Sequence, residues 1–313
     1  MRVWMIVLVC LIVAALCIQM PSEAQGGAQE IGYESVRVVF CPEQDCVGEL
    51  ERAVSGGSEV ECAFFDLDLE GLIQALENVS ARVVVDYRND PDKEFIRLAK
   101  GQGYMHNKFC IIDDRIVTTG SFNPTDNGAD RNNNNLLMID SPELAGIYSK
   151  EFDELWNGTY SGGVRTEQHS GPVRVCFSPE DDCVQMIIDE LDKAESEIRF
   201  MIFSFTHTRI AMHLALAKEN GVKVEGLMEK QQLSKYSMHD FFIGQGISVV
   251  LENTGAFLHH KVFIIDGETV ITGSFNPSEN AAKRNDENVV VIKNRALAEA
   301  YIEEYNRLKS IFN

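Results

Sequence analysis

One polar pattern occurs twice in this chain. It stands at His106, Lys108, Asp113, Gly120, Ser121 and Asn123, and again at His259, Lys261, Asp266, Gly273, Ser274 and Asn276, with unchanged spacing. Chemically demanding residues repeated in this way require the same local structure twice and point to one site assembled from two halves. Around the first copy run two β-rich segments, 108–112 and 116–119, separated by Asp113, Asp114 and Arg115, while the second copy carries the turn signal Asp266-Gly267 in the same place. The spacing predicts a β-hairpin in each copy. A turn centred on Asp114 and Arg115 sets His106 opposite Asn123 and Lys108 opposite Ser121; the same register pairs His259 with Asn276 and Lys261 with Ser274. Residues two apart share a strand face, so each hairpin presents an imidazole, an ammonium, a hydroxyl and an amide together. Gly120 or Gly273 stands beside them, where a missing side chain would let a ligand approach the backbone.

That inventory suits a phosphoryl group. Lysine is a point charge for phosphate oxygens, Asn and Ser donate hydrogen bonds to them, and imidazole can attack phosphorus or carry a proton near neutral pH. Two facing copies supply a nucleophile and a general acid on opposite sides of an in-line displacement. Asp113 and Asp266 sit at the hairpin turns, where backbone hydrogen bonding is the expected role. His260 alternates to the opposite strand face from His259, so no catalytic part is expected of it.

The repeat extends beyond the motifs. VRVVFCPEQDCV at residues 36–47 returns as VRVCFSPEDDCV at 173–184, an offset of 137, whereas the motif histidines are 153 apart. The second half therefore holds 16 additional residues, most of them between Glu229 and Leu258, where a loop or short helix is expected. Residues 157–171 are rich in Gly, Ser and Thr without apolar periodicity and read as a linker between halves spanning 36–156 and 172–313. Ser178-Pro179 and Ser141-Pro142 each read as an N-cap followed by proline at the first helical position. Near-continuous apolar runs at 198–205 and 288–292 predict strands buried on both faces. The alternation of strands and helices makes each half an α/β sandwich.

With its double HKD signature the chain resembles the phospholipase D superfamily, and its likeness is to the compact nuclease branch. Residues 177–308, with FSPEDDC, IRFMIFSFT, HHKVFIID and TGSFNPSENAAKRNDENVVVI, resemble the Nuc-type bacterial endonucleases that carry one motif and dimerise. GYMHNKFCIIDDRIVTTGSFNPT, followed by a helix ending in FDELW, resembles the Zucchini-type mitochondrial cardiolipin hydrolases. The resemblance implies two tandem α-β-α sandwich halves related by a pseudo-two-fold and sharing one active site. It also implies a phosphodiesterase that needs no metal or other cofactor and passes through a phosphohistidine. The family's acidic partner of the motif histidine falls on Glu287, 28 residues after His259; the same count from His106 lands on Asn134. On this reading Glu287 keeps His259 protonated. His106 attacks, and His259 protonates the leaving group and then activates water. Lys108, Lys261, Asn123, Asn276, Ser121 and Ser274 bind the phosphate. One chain suffices, with no obligate protein partner.

Substrate class is left open between nucleic acid, favoured by compactness, and phospholipid, favoured by signs of export; a weakened binding module is the third reading, motivated by Asn134. With 28 basic and 48 acidic residues the formal net charge is −20, which excludes a broad basic footprint on nucleic acid and leaves at most a narrow basic cleft. Lys108, Arg115, Arg131, Lys261, Lys283 and Arg284 cluster in sequence around the motifs. Arg2 precedes an apolar run from Val3 to Ile18, and Ser22-Glu23-Ala24 suits signal-peptidase cleavage, so residues 1–24 predict export, with a retained membrane anchor as the alternative. Outside that segment stand six cysteines, of which Cys41 with Cys46 and Cys176 with Cys183 are the pairs to test, against buried free thiols. No His/Cys spacing for zinc occurs.

Overall fold

Short runs of Val, Ile and Phe between polar turns favour strands over helices. In the computed structural model, which describes residues 29–166 and 169–313, they form two seven-stranded sheets of identical order. Across the first lie Ser35–Cys41, Asn134–Asp140, Ile116–Gly120, Lys108–Ile112, Glu59–Phe64, Ser80–Asp86 and Ile96–Ala99. The first four pairings are antiparallel and the last two parallel. The second sheet repeats this with Val173–Ser178, Glu287–Lys293, Thr269–Gly273, Lys261–Ile265, Glu197–Ile202, Lys223–Met228 and Ser248–Leu251. The fold is thus two tandem α/β halves, as the repeat predicts.

Each half ends in a helix, Pro142–Trp156 or Arg295–Phe312, whose start is fixed by a cap. Ser141 Oγ accepts from Leu144 N at 3.2 Å and Asn294 Oδ1 from Leu297 N at 2.9 Å, each worth about 1 kcal/mol. The buried faces of these helices, with Tyr148, Phe152, Tyr301 and Tyr305, join the inner faces of both sheets in one cluster. Rings meet edge to face across the halves, Tyr148 with Phe177 at 5.1 Å and Phe40 with Tyr301 at 5.1 Å. Burial of each such side chain contributes roughly 1.5–3 kcal/mol, so neither half keeps its core without the other. Separate outer clusters lie under helices Cys46–Gly56 and Glu70–Glu77 on the first sheet, and under Cys183–Leu191 and Thr208–Glu219 on the second.

The hairpin register differs by one residue from the sequence expectation. Cys110 faces Thr118 and Phe263 faces Ile271, which sets Lys108 across from Gly120 and Lys261 across from Gly273. The loop has three residues instead of two, because both Asp113 and Asp114, like Asp266 and Gly267, adopt positive φ before the strand resumes. Ser178 is also not a helix cap: it ends a strand, its Oγ donates to Ala281 O at 2.7 Å, and Asp182 caps the helix that follows. A tight strand exit through Pro179 takes the place of the first helical turn.

The additional residues of the second half hold helix His239–Gly244, whose Phe242 packs on Phe200 and Phe205. Residues 157–166 have no helix or strand beyond the end of the preceding helix, and His169–Ser170 pairs with Gln29–Glu30. Cys41–Cys46 and Cys176–Cys183 are disulfides, and a third joins Cys62 to Cys110 across neighbouring strands, a pair that sequence spacing had not singled out. The expected export segment, 1–24, lies outside the described residues.

Candidate active site

Two reciprocal β-bridges stitch the halves together at the motif histidines. Met105 bridges Asp286, and Leu258 bridges Asn133, its counterpart in the repeat. His106 N donates to Asp286 O at 2.9 Å and His259 N to Asn133 O at 3.0 Å. Such mutual exchange is the mark of a two-fold contact. Its consequence is that the residue after each bridge, Glu287 or Asn134, reaches the histidine of the other half.

This overturns the expected pairing within each half. His106 Nδ1 lies 2.7 Å from Glu287 Oε2, and His259 Nδ1 lies 2.7 Å from Asn134 Oδ1 and 3.1 Å from Ser121 O. Sequence counting had joined Glu287 to His259 because spacing along the chain is identical whether the strand serves its own half or the other. All these partners of Nδ1 are acceptors, so Nδ1 carries the hydrogen on both rings and Nε2 is the reactive nitrogen. The orientation of Asn134 is fixed by its Nδ2, which donates to Gly128 O at 3.0 Å and Asn132 O at 3.2 Å.

Ser121 and Ser274 are committed elsewhere than to phosphate. Ser274 Oγ donates to Glu287 Oε2 at 2.7 Å and accepts from Asn288 N at 3.0 Å, while Ser121 Oγ donates to Asn134 Oδ1 at 3.1 Å and accepts from Asn135 N at 3.0 Å. Both are fully buried and position the histidine partners. Gly120 and Gly273, at φ +130° and +134°, make room for the neighbouring strand instead of a ligand: an added Cβ would stand 2.3 Å from Asn135 O or Asn288 O. Asp113 Oδ1 accepts from Ser58 N and Glu59 N at 2.8 and 2.9 Å, and Asp266 accepts from Glu195 N, Ser196 N and Glu197 N, so both tie the turn to the adjoining strand.

Lys108 and Lys261 are 3% exposed, and each donates from Nζ to the carbonyl of its own motif histidine while lying 5.1 Å from a phenylalanine ring, Phe65 or Phe203. Burial pushes Lys108 down to about 7. Lys261 is driven well below its ordinary range by burial and then by Lys108. Burial also lowers both histidines; Glu287 pulls His106 the other way, whereas His259 has Lys261, Lys108 and His106 against it with only the Ser121 carbonyl opposing them, and is lowered further. Glu287 stays below its ordinary value despite burial, held by His106 and Lys108. Both ammoniums are thus held close to losing their protons, and the charge of a phosphodiester placed between them would favour their protonated forms. Asn123 and Asn276 are half-buried at the same edge; Asn123 Oδ1 has no partner, and Asn276 Oδ1 accepts from Ser204 N at 3.4 Å.

Of the remaining basic residues near the motifs, Arg131 and Arg284 are exposed, two residues before the bridging Asn133 and Asp286, while the other two are paired with carboxylates. Arg115 pairs with Glu34 and Asp140 at the turn end of its hairpin, and Lys283 pairs with Glu279. His260 is fully buried against Asn135 and Glu304 and has no access to substrate. Sequence reasoning missed the aromatic lining: Phe65 lies 4.9 Å from the His106 ring and Phe203 4.9 Å from the His259 ring. Their signal was a phenylalanine just beyond the strand that neighbours each motif. Among the described residues no group of three or more His, Cys, Asp or Glu is arranged to hold a metal ion.

A profile of the family described as "Cardiolipin synthase, PLD-like domain" matches residues 35–156 and 187–309. A phospholipase D of Rickettsia prowazekii is 35% identical over 53% of this chain and 82% of its own length. A mitochondrial cardiolipin hydrolase of Xenopus tropicalis is 26% identical over 44% of this chain and 67% of its own. The crystal structure of phosphatidylserine synthase from Haemophilus influenzae Rd KW20 shares the fold over 90% of this chain and 88% of its own, with a TM-score of 0.64 at 14% identity. The chain belongs to the phospholipase D superfamily, with one domain of that type in each half.

Proposed function

We propose that this superfamily phosphodiesterase cleaves nucleic acid through a phosphohistidine on His106, without a metal ion. The observation that carries the reading is the crossed pair of half-sites, one histidine backed by a carboxylate and the other by an amide. Attack by the Nε2 lone pair of His106 forms a P–N bond and leaves a cationic ring, whose charge Glu287 balances. The P–O bond to the leaving group breaks, and that oxygen takes a proton from Nε2 of protonated His259. An imidazolium with no carboxylate partner is the stronger acid, and the arriving phosphate favours its protonation. His259, now neutral, removes a proton from water; the water oxygen forms the new P–O bond and the P–N bond breaks, which restores His106. Lys108, Lys261, Asn123 and Asn276 hold the nonbridging oxygens, so protein cations supply the charge that a metal would supply.

Nucleic acid is favoured by the compact halves and by the aromatic lining of both histidines. Phospholipid is the second reading, favoured by the names of the two sequence relatives. Single-stranded DNA, RNA, phosphatidylcholine and cardiolipin, each incubated with the protein and EDTA, separate them. Cleavage of a nucleic acid alone supports the first reading, cleavage of lipid alone replaces it, and complete inhibition by EDTA reversed by magnesium or zinc removes the metal-free mechanism. One chain carries both half-sites, so an isolated monomer is expected to be active. We also propose export, which the joining of the six cysteines outside residues 1–24 into three disulfides supports.

A further inference from the structure

A ladder of planar groups leads out of the site on the His106 side alone. It starts with Phe65, whose ring lies 4.9 Å from His106, and continues edge to face to Tyr104 at 5.5 Å. The Arg88 guanidinium stands 4.6 Å from the Tyr104 ring and 4.3 Å from Tyr87. Both tyrosines show large exposed surface, 44% for Tyr104 and 40% for Tyr87. The ladder is held firmly. Arg88 Nη1 donates to both carboxylate oxygens of Asp86, each at 3.0 Å. Tyr104 is pinned through its backbone to the other half, N to Asn285 Oδ1 at 3.1 Å and O from Asp286 N at 2.9 Å. Gly103 beside it has no room for a side chain, since a Cβ would lie 1.9 Å from Arg284 O.

The second half provides an internal control. Asp86 accepts from Met105 N and Arg88 N, and Glu229 accepts from Leu258 N and Gln231 N, so these positions correspond. There the sequence has Lys230 and Gln231 where the first half has Tyr87 and Arg88, and the aromatics end at Phe257, 5.7 Å from Phe203.

We propose that the Tyr87, Arg88 and Tyr104 ladder is a stacking platform for the bases of single-stranded nucleic acid running out past His106. This rests on the nucleic-acid reading above and deepens it. Because Asp86 engages the Arg88 edge, what the guanidinium offers is mainly its faces, which stack on rings and do not grip phosphate. A chain of net charge −20 offers little basic surface for phosphate, so stacking on base planes is expected to supply binding beyond what Lys108 and Lys261 provide. Alternating phenol and guanidinium faces suit a base better than an acyl chain, which would strip water from them without replacing it.

The test is steady-state cleavage of a single-stranded oligonucleotide, and of the same strand with abasic residues, by wild type, Tyr104→Ala, Tyr104→Phe and Tyr87→Ala. Tyr104→Ala should raise KM about tenfold with kcat retained, Tyr87→Ala should raise it less, and Tyr104→Phe should restore it. Wild type should bind the abasic strand as weakly as Tyr104→Ala binds the normal one. An unchanged KM in Tyr104→Ala, or equal binding of the abasic strand, overturns the platform while leaving the nuclease reading in place. Cleavage of cardiolipin vesicles with no cleavage of any oligonucleotide overturns both.

Discussion

The two half-sites share one backbone plan and differ in charge. On the His106 side the histidine is backed by Glu287, and beneath it lie Glu151, Glu154, Glu180 and Asp286. On the His259 side the backing group is Asn134, and the corresponding positions hold Glu304, Arg307, Glu43 and Asn133. There Arg307 bonds Glu304, Glu43 and Asn133, and His260 also reaches Glu304, so the carboxylates are neutralised. Among the described residues no such cation acts on the first cluster's Glu151 or Glu180, and Glu151 instead shares a hydrogen bond with Glu180. Duplication thus preserved the geometry that crosses the halves while the charges diverged, and a division of labour between the histidines is what that divergence makes possible.

Removing each histidine in turn tests this division most severely. His106→Ala should form no adduct with an activated phosphodiester and lose on the order of 10⁴-fold in turnover. His259→Ala should still accept the phosphoryl group and then stall. Mass spectrometry of the quenched proteins locates the group; an adduct on His259 in His106→Ala, with none in the reverse variant, would invert the roles. A smaller effect is expected one step back from the chemistry. Glu287→Gln should lower kcat about 10²-fold, because the cationic phosphohistidine loses its counter-charge. Asn134→Glu should instead hold His259 protonated to higher pH, which moves the alkaline side of acid-dependent leaving-group departure upward and slows hydrolysis of the adduct. Equal pH profiles for wild type and Asn134→Glu would mean that the amide is not what distinguishes the halves.

The unbalanced cluster predicts a pH-dependent stability that the other half lacks. Burial pushes Asp286 up to about 8 and Glu180 up to about 7. A carboxyl whose folded value is raised binds its proton more tightly when folded, so its contribution is complete below the unfolded value near 4 and declines as pH rises toward 8. Stability to thermal unfolding should therefore fall between pH 5 and pH 8.5, by a few kcal/mol and several degrees in Tm. Glu180→Gln should flatten the slope, and an unchanged slope in that variant would place its origin elsewhere.

The doubled motif made the fold class, the hairpins, His106, Lys108, His259 and Lys261 legible in the sequence, because exact spacing is a local property. What sequence did not reveal is set by tertiary geometry. Glu287 could be counted from its motif but not assigned to a half, since both assignments have the same spacing. Ser121 and Ser274 looked like phosphate ligands because a hydroxyl on the right face says nothing of a competing carboxylate or amide beneath it. The Cys62–Cys110 pair depends on which strands are neighbours in the sheet, Cys62 facing Cys110 across an antiparallel ladder. Tyr87 and Arg88, in the short 3-10 helix Tyr87–Asn89, are brought to the loop residue Tyr104 with no shared motif.

The turn aspartates give the smallest expected difference between the halves, and the cleanest one, because neither reaches the substrate. Asp113 accepts from two backbone N–H groups, whereas Asp266 accepts from three and from Ser196 Oγ at 2.7 Å as well. These bonds favour the ionised form, and both carboxyls lie below their ordinary value. Replacement by Ala leaves the donors to water, at about 1 kcal/mol for Asp113 in its exposed setting and about 2 kcal/mol for the more enclosed Asp266. Denaturant midpoints should fall in that order, and both penalties should vanish as wild type is acidified through the carboxylate range, since protonation removes the same bonds. Turnover by the folded variants should stay within about twofold of wild type, because the turn lies at the far end of the hairpin from the histidine. A large loss of kcat in a fully folded Asp266→Ala protein would show that the third letter of the motif takes part in the chemistry and not only in holding the hairpin.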